Sequence, residues 1–224
     1  RLPGTPFDRV AAKYIKDYFE GNGFALLGKN GYQFFEFIDH QDIGDNNSFR
    51  VNKQAQTLGT DYAVFSFSSS DTLSGAVIFV GYGIDYENDT LAWNDFANLN
   101  LTDKWALILR GDPLLHLDKS PFSSIVTDRH KAMVAKEHGA AGVIFVSGQG
   151  FDAKDELISS KQKNFPIGIP VLHVNRKTAD VILTGTGKKV IIIEEEILSS
   201  KKPLSLIAGS NVCARTDIIT KKKN

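Results

Sequence analysis

In the stretch GDPLLHLDKS, His116 and Asp118 stand two residues apart, a pairing that several zinc hydrolases use to hold metal. A hydrolytic metal site needs three or more ligands from separate elements and a carboxylate nearby to act as base. The other histidines, His40, His130, His138 and His173, form no H-E-x-x-H pair and sit beside no cluster of acids. His130 and His138 lie about two helical turns apart, too far to share an ion. His173 alternates with Val171, Leu172 and Val174, the setting of a structural histidine in a strand. The residues themselves therefore favour a solvated turn after Pro113 over a metal site at His116 and Asp118.

Other chemistries fare no better. Glu194, Glu195 and Glu196 follow an apolar run and read as the solvated end of a strand, which discourages sheet-to-sheet association. The chain has no G-x-S-x-G elbow, and SFSSSD reads as a polar turn. The glycines of VGYGI and GAAGV match neither a dinucleotide nor a Walker loop, and Gly139 reads as a helix-ending glycine. No catalytic set is assembled from these residues.

The elements that must position any site come from periodicity. Val10, Ala11, Tyr14, Ile15, Tyr18 and Phe19 recur at helical spacing over 8–20, with Asp8 as the expected N-cap and Gly21-Asn22-Gly23 as the stop. YQFFEFI (32–38) reads as an aromatic strand and DHQDIGDNNS as a loop. Short strands follow at FRVNKQAQTL, DYAVFSF, GAVIFVGYGI, WALILR, AGVIFVSG, IPVLHVN and KVIIIEEEIL. Helices over 128–138 and 177–183 interrupt them, and SNVCARTDII starts a last strand. WALILR, the helix and GAAGVIFV make a right-handed crossover between parallel strands. Many strands with few helices predict a β-rich α/β module.

Composition bounds the partners. The 224 residues carry 26 Lys plus Arg against 26 Asp plus Glu, a balance that argues against a nucleic-acid surface. No run approaches the roughly 20 apolar residues of a membrane span. Cys213 is the only cysteine, so an intrachain disulfide is impossible, and it reads as a small buried hydrophobe. Asn46, Asn88 and Asn100 head Asn-x-Ser/Thr triplets, which matter only in a host that glycosylates secreted proteins. The opening RLPGTPFD carries no visible signal peptide and fits a trimmed mature form, and ITKKKN reads as a frayed basic end.

Several segments agree with one family in order and spacing. FVGYGI (79–84), DKWALILRGDP (103–113), KAMVAKEHGAAGVIFV (131–146) and IPVLHVNRKTADVIL (169–183) together resemble the protease-associated (PA) domain. The form is the one inserted in zinc aminopeptidases of the bacterial leucyl aminopeptidase-like family. RLPGTPFDRVAAKYIKDYFEGNGF and YQFFEF resemble the first helix and strand of that family's peptidase domain, and SNVCARTDII its re-entry strand.

The resemblance implies a β-rich α/β fold: a PA-domain β-sandwich or open barrel with a few flanking helices. An incomplete N-terminal helix and strand and a C-terminal strand of a peptidase domain would accompany it. The implied boundaries are 1–45 for the peptidase-like start, 46–207 for the PA domain, and 208–224 for the re-entry strand and basic tail. No family ligand or general base has a matching position here, so the catalytic and metal residues expected of this chain are none. Zinc and its histidine-x-aspartate motif would lie beyond Asn224. The implied function is that of the non-catalytic, PA-bearing part of a secreted or otherwise extracytoplasmic zinc aminopeptidase, controlling access to the active-site cleft. Its partners would be a peptide substrate or the peptidase domain, with no nucleic acid and no membrane span.

Arg110, Asp112 and His116, in a loop after a strand end, are the expected substrate contacts. The structural alternative is that Arg110 and Asp112 hold the turn by bonding each other. Two other functions stand beside this one. The chain could be a freestanding PA-fold module that binds peptide or protein, or a hydrolase acting through His116 and Asp118.

Overall fold

The computed structural model describes residues 4–115, 117, 119–158 and 165–223. They form two compact units, Arg1–His40 with Thr220–Asn224, and Gln41–Ile219.

In the first unit, helix α1 (Pro6–Gly21) begins where Thr5 caps it: the Thr5 hydroxyl accepts the Asp8 N–H at 3.3 Å, and Pro6 opens the first turn. Asp8, the expected cap, instead accepts the Gly4 N–H at 3.1 Å, completing a reciprocal arrangement at the helix start. Strand β1 (Phe37–Ile43), of which residues 41–43 fall in the second unit, starts later than the aromatic run suggests and takes in DHQDI, where a loop was expected. It pairs with the last strand, β12 (Ile218–Lys223).

The second unit is built on an eight-stranded sheet. The segment FRVNKQAQTL is a hairpin rather than one strand: β2 (Ser48–Val51) turns into β3 (Gln54–Gln56) at Asn52 and Lys53, whose φ values are 47° and 73°. Two consecutive left-handed residues give a two-residue turn whose twist matches its strands. The remaining members are β4 (Tyr62–Val64), β5 (Asp71–Val80), β8 (Trp105–Leu109), β9 (Gly142–Val146), β10 (Val171–Val174) and β11 (Ser205–Thr216), with a separate small hairpin of β6 (Asp85–Glu87) and β7 (Ala92–Asn94) between β5 and β8. The sheet order is β3-β2-β11-β5-β8-β9-β10-β4, and the edge strands β3 and β4 follow one another in the chain. An isolated bridge between Leu58 and Tyr62 lies in their connection, so the sheet nearly closes on itself.

Strands β5, β8, β9 and β10 run parallel. The expected crossover is present: β8, helix α2 (Asp128–Glu137), then β9. Every residue of β8 and β9 is buried because both faces of the sheet are covered, which is why these strands are continuous apolar runs. On one face Phe79, Trp105, Leu107 and Val146 pack with Ile182 of helix α3 (Arg176–Ile182). On the other, Ile78, Ile108 and Phe145 pack with Ala132 and Ala135 of α2. The fold is the β-rich α/β class with few helices.

Two local expectations are corrected. VIIIEEEILSS is a helix, α4 (Val190–Ser200), with Val190, Ile193, Glu194 and Ile197 buried. Those positions have helical spacing, and the Asp180 carboxylate accepts the Val190 N–H at 2.8 Å where the helix starts. The β-branched run imitates a strand until Ile197 is counted. Glu194 therefore faces inward while its two acidic neighbours face out. Cys213 is exposed, because β11 alternates and turns Val212 and Ala214 inward. Its thiol in the native chain is expected to react with a thiol-specific disulfide reagent at close to the unfolded chain's rate; protection by more than about tenfold would contradict its placement.

Candidate ligand site at the carboxyl ends of the parallel strands

Ligand sites in α/β sheets gather beyond the carboxyl ends of parallel strands, where connections diverge. Here β5 runs into Gly81-Tyr82-Gly83, β8 into Arg110-Gly111-Asp112 and β9 into Ser147–Phe151. They meet Glu194 and Leu198 of α4 around a cavity of about 150 Å³.

Arg110 is anchored by Asp128 at the start of α2. Its Nε donates to Oδ1 at 3.2 Å and to Oδ2 at 3.0 Å, and its Nη2 to Oδ2 at 2.8 Å. Its guanidinium lies 4.9 Å from the Phe151 ring centroid. A rigid, planar cation suits such paired and stacked geometry. Asp112 is buried and ties the turn: Oδ1 accepts the Leu114 N–H at 2.8 Å and the Ser120 hydroxyl at 2.9 Å. The two residues fix the rim through separate partners, not through each other. Gly111 must be glycine: its φ is 75°, and a Cβ there would stand 2.6 Å from the Phe151 ring.

Beneath the rim lies a polar layer that sequence reading missed. Lys131, only 1% exposed, donates to the Leu109 carbonyl at 2.6 Å and the Gly111 carbonyl at 2.7 Å, tying α2 to the end of β8. Burial pulls its ammonium down to about 7, against the attraction of Asp128, Asp95 and Asp112. Asp95, also buried, accepts the Ile84 N–H at 3.0 Å, and burial pushes its carboxyl up to about 7. Tyr82 has its hydroxyl raised, first by burial and then by Glu194, Asp112 and Asp95. Glu194 accepts N–H groups from Gln149 at 2.7 Å and Gly150 at 3.3 Å, which fixes the loop after β9.

Signals for these residues were present. Lys131 precedes Ala132 on the apolar side of its helix, Tyr82 follows a strand end, and Glu194 falls in register with Ile193 and Ile197.

His173 has the structural role expected of it. Its Nδ1 accepts the Ile158 N–H at 3.1 Å, so the proton of the neutral ring sits on Nε2, which faces the Ser147 hydroxyl at 3.2 Å. Burial, then Arg110, lowers the ring to about 3. His138 stacks on Phe96 with centroids 4.3 Å apart and meets Asp85 at 2.9 Å. Of the three expected contact residues, Arg110 and Asp112 line the cavity. His116, like Asp118, lies outside the described residues.

Among the described residues no group of three or more His, Cys, Asp or Glu converges as a metal centre would require. Among them, too, no helix is long and apolar enough to cross a membrane.

A nearly closed sheet with a parallel centre and a cavity at its carboxyl ends defines a small β-rich α/β module. The family model of the PA domain matches residues 68–182, over half of the sequence, and the chain belongs to that family. Curated proteins give no match. Among solved structures, an aminopeptidase from Aneurinibacillus sp. strain AM-1 aligns with 99% of this chain and 42% of its own, at a TM-score of 0.54 and 16% identity. A zinc aminopeptidase from Bacillus subtilis aligns with 100% of this chain and 41% of its own, at a TM-score of 0.50 and 14% identity. At these identities the likeness is one of fold. The chain spans about two fifths of the length of these structures.

Proposed function

We propose that this chain is the PA-bearing, non-catalytic part of a longer extracytoplasmic zinc aminopeptidase, lying over the active-site cleft and limiting or selecting the peptides that enter. In this reading residues 46–207 are the PA module, and 1–45 and 208–224 are the flanking peptidase-domain pieces. Zinc and its ligands belong to the remainder of the enzyme.

The observation that carries the reading is the apolar face of α1. Phe7, Val10, Tyr14, Ile15, Tyr18 and Phe19 are all exposed, and the helix buries no residue. An amphipathic helix of this kind needs a partner surface, and apolar exposure on this scale marks an interaction site. The solved aminopeptidases, which align with nearly the whole chain, have more than half their length outside the alignment, enough to supply that partner. Reading the coding sequence past Asn224 tests this at once. A downstream histidine-x-aspartate strand followed by a Glu-Glu pair is the expected result; an immediate stop codon would leave a freestanding PA-fold module that binds peptide or protein.

Within the longer enzyme, Arg110, Asp112 and His116 contribute the module's contacts with substrate. Arg110→Ala and His116→Ala are each expected to raise KM for a peptide about threefold or more while kcat holds, the pattern of lost uniform binding. Identical kinetics in both variants would remove the rim from recognition.

A further inference from the structure

We propose that the cavity beyond β5, β8 and β9 receives a primary alkylammonium on a short apolar stem, namely the lysine side chain of a bound peptide. This rests on the reading of the rim as a peptide-contact surface and requires neither metal nor a second domain.

The first support is Tyr82. The residue is 3% exposed and lines the cavity, yet its hydroxyl makes no hydrogen bond with any described residue. The hydroxyl is not among the fully enclosed polar atoms that lack a partner, so it opens on the cavity, where a ligand atom can meet it.

The second support is the surplus of acceptors. Glu194 and Asp112 are 5% and 3% exposed and line the same cavity. The Glu194 oxygens take one N–H each and keep acceptor capacity. Asp112 meets its bonds through Oδ1, while Oδ2 accepts none from the described residues. The nearby cations are already committed, Arg110 to Asp128 and Lys131 to two backbone carbonyls. An ammonium brings one positive charge and three donors to this set of a hydroxyl and two carboxylates.

Shape is the third support. Pro113, Leu115, Phe151 and Leu198 give the cavity apolar walls. Its volume of about 150 Å³ matches that of an apolar cavity able to hold benzene, enough for a lysine's methylenes and ammonium.

The test is calorimetric titration of the 224-residue chain with Nα-acetyl-lysine N-methylamide. Saturable binding is expected, with Nα-acetyl-norleucine N-methylamide, which lacks the ammonium, at least about tenfold weaker. Glu194→Gln should weaken the lysine probe about tenfold or more, and Tyr82→Phe, which removes only the hydroxyl, about threefold or more. Leu198→Trp, filling the cavity from α4, should abolish binding. No binding to the unmodified chain, equal binding of the two probes, or unchanged affinity in both Glu194→Gln and Tyr82→Phe would overturn the proposal. Tighter binding of leucine N-methylamide than of the lysine probe would also overturn it, by moving the ligand to a peptide α-amine. An active zinc enzyme whose module ignores the lysine probe would remove this proposal and leave the proposed function standing. A lysine-binding chain with no downstream catalytic domain would do the reverse.

Discussion

Lys131→Met lowers the unfolding free energy by about 3 kcal/mol, read as a fall in the urea midpoint, the largest loss expected from one substitution in the polar layer. Two effects compete. Methionine nearly matches lysine in volume and relieves the burial penalty that draws the ammonium down to about 7. Against that, it leaves the Leu109 and Gly111 carbonyls without their donor, each loss worth about 1–3 kcal/mol when the group is buried. It also removes the positive charge that attracts Asp95 and Asp112, both buried. The orphaned acceptors outweigh the relief because they lie buried where β8 meets the rim, with Lys131 as the side-chain donor to both. Stability equal to or above the parent's would show that the buried ammonium is a net cost.

The second large effect is acid sensitivity through His173. Burial lowers the folded ring to about 3, while the unfolded chain keeps the ordinary value near 6.5. Between those values the unfolded chain binds a proton that the folded chain refuses. The contribution of His173 to stability is therefore complete above pH 6.5 and is lost as pH falls towards 3, about 3–5 kcal/mol across the window. The geometry gives the reason: a proton on Nδ1 would face the Ile158 N–H in place of accepting it. His173→Gln, whose amide can still accept on one side and donate on the other, should flatten this part of the profile. Parallel pH profiles for parent and variant from pH 7 to pH 4 would assign the acid loss elsewhere.

Much of the module could be read from residues alone. β8 and β9 announced themselves as unbroken apolar runs, and α2 as the helix between them, because two-sided burial leaves a strong local pattern. Failure came where local pattern and tertiary setting disagree. The isoleucines of α4 favour a strand by type and a helix by spacing, and packing on the sheet decided for the helix. Cys213 was placed by composition, which cannot tell which face of β11 it takes.

The candidate site was half legible. Arg110 and Asp112 follow a strand end, where recognition residues gather, and both line the cavity. Tyr82, Lys131 and Glu194 come from separate elements and meet only through the parallel register of β5, β8 and β9 with α4 across their ends. Each of the three carries a local sign of burial, but no local spacing shows that they converge.

The proposal that this PA-family chain is one part of a zinc aminopeptidase is tested most directly by assaying the full-length product of its gene for catalysis. Release of nitroaniline from an aminoacyl nitroanilide, lost on zinc chelation and restored by added zinc, is the predicted result. A longer protein that leaves such substrates intact in the presence of zinc would contradict the account.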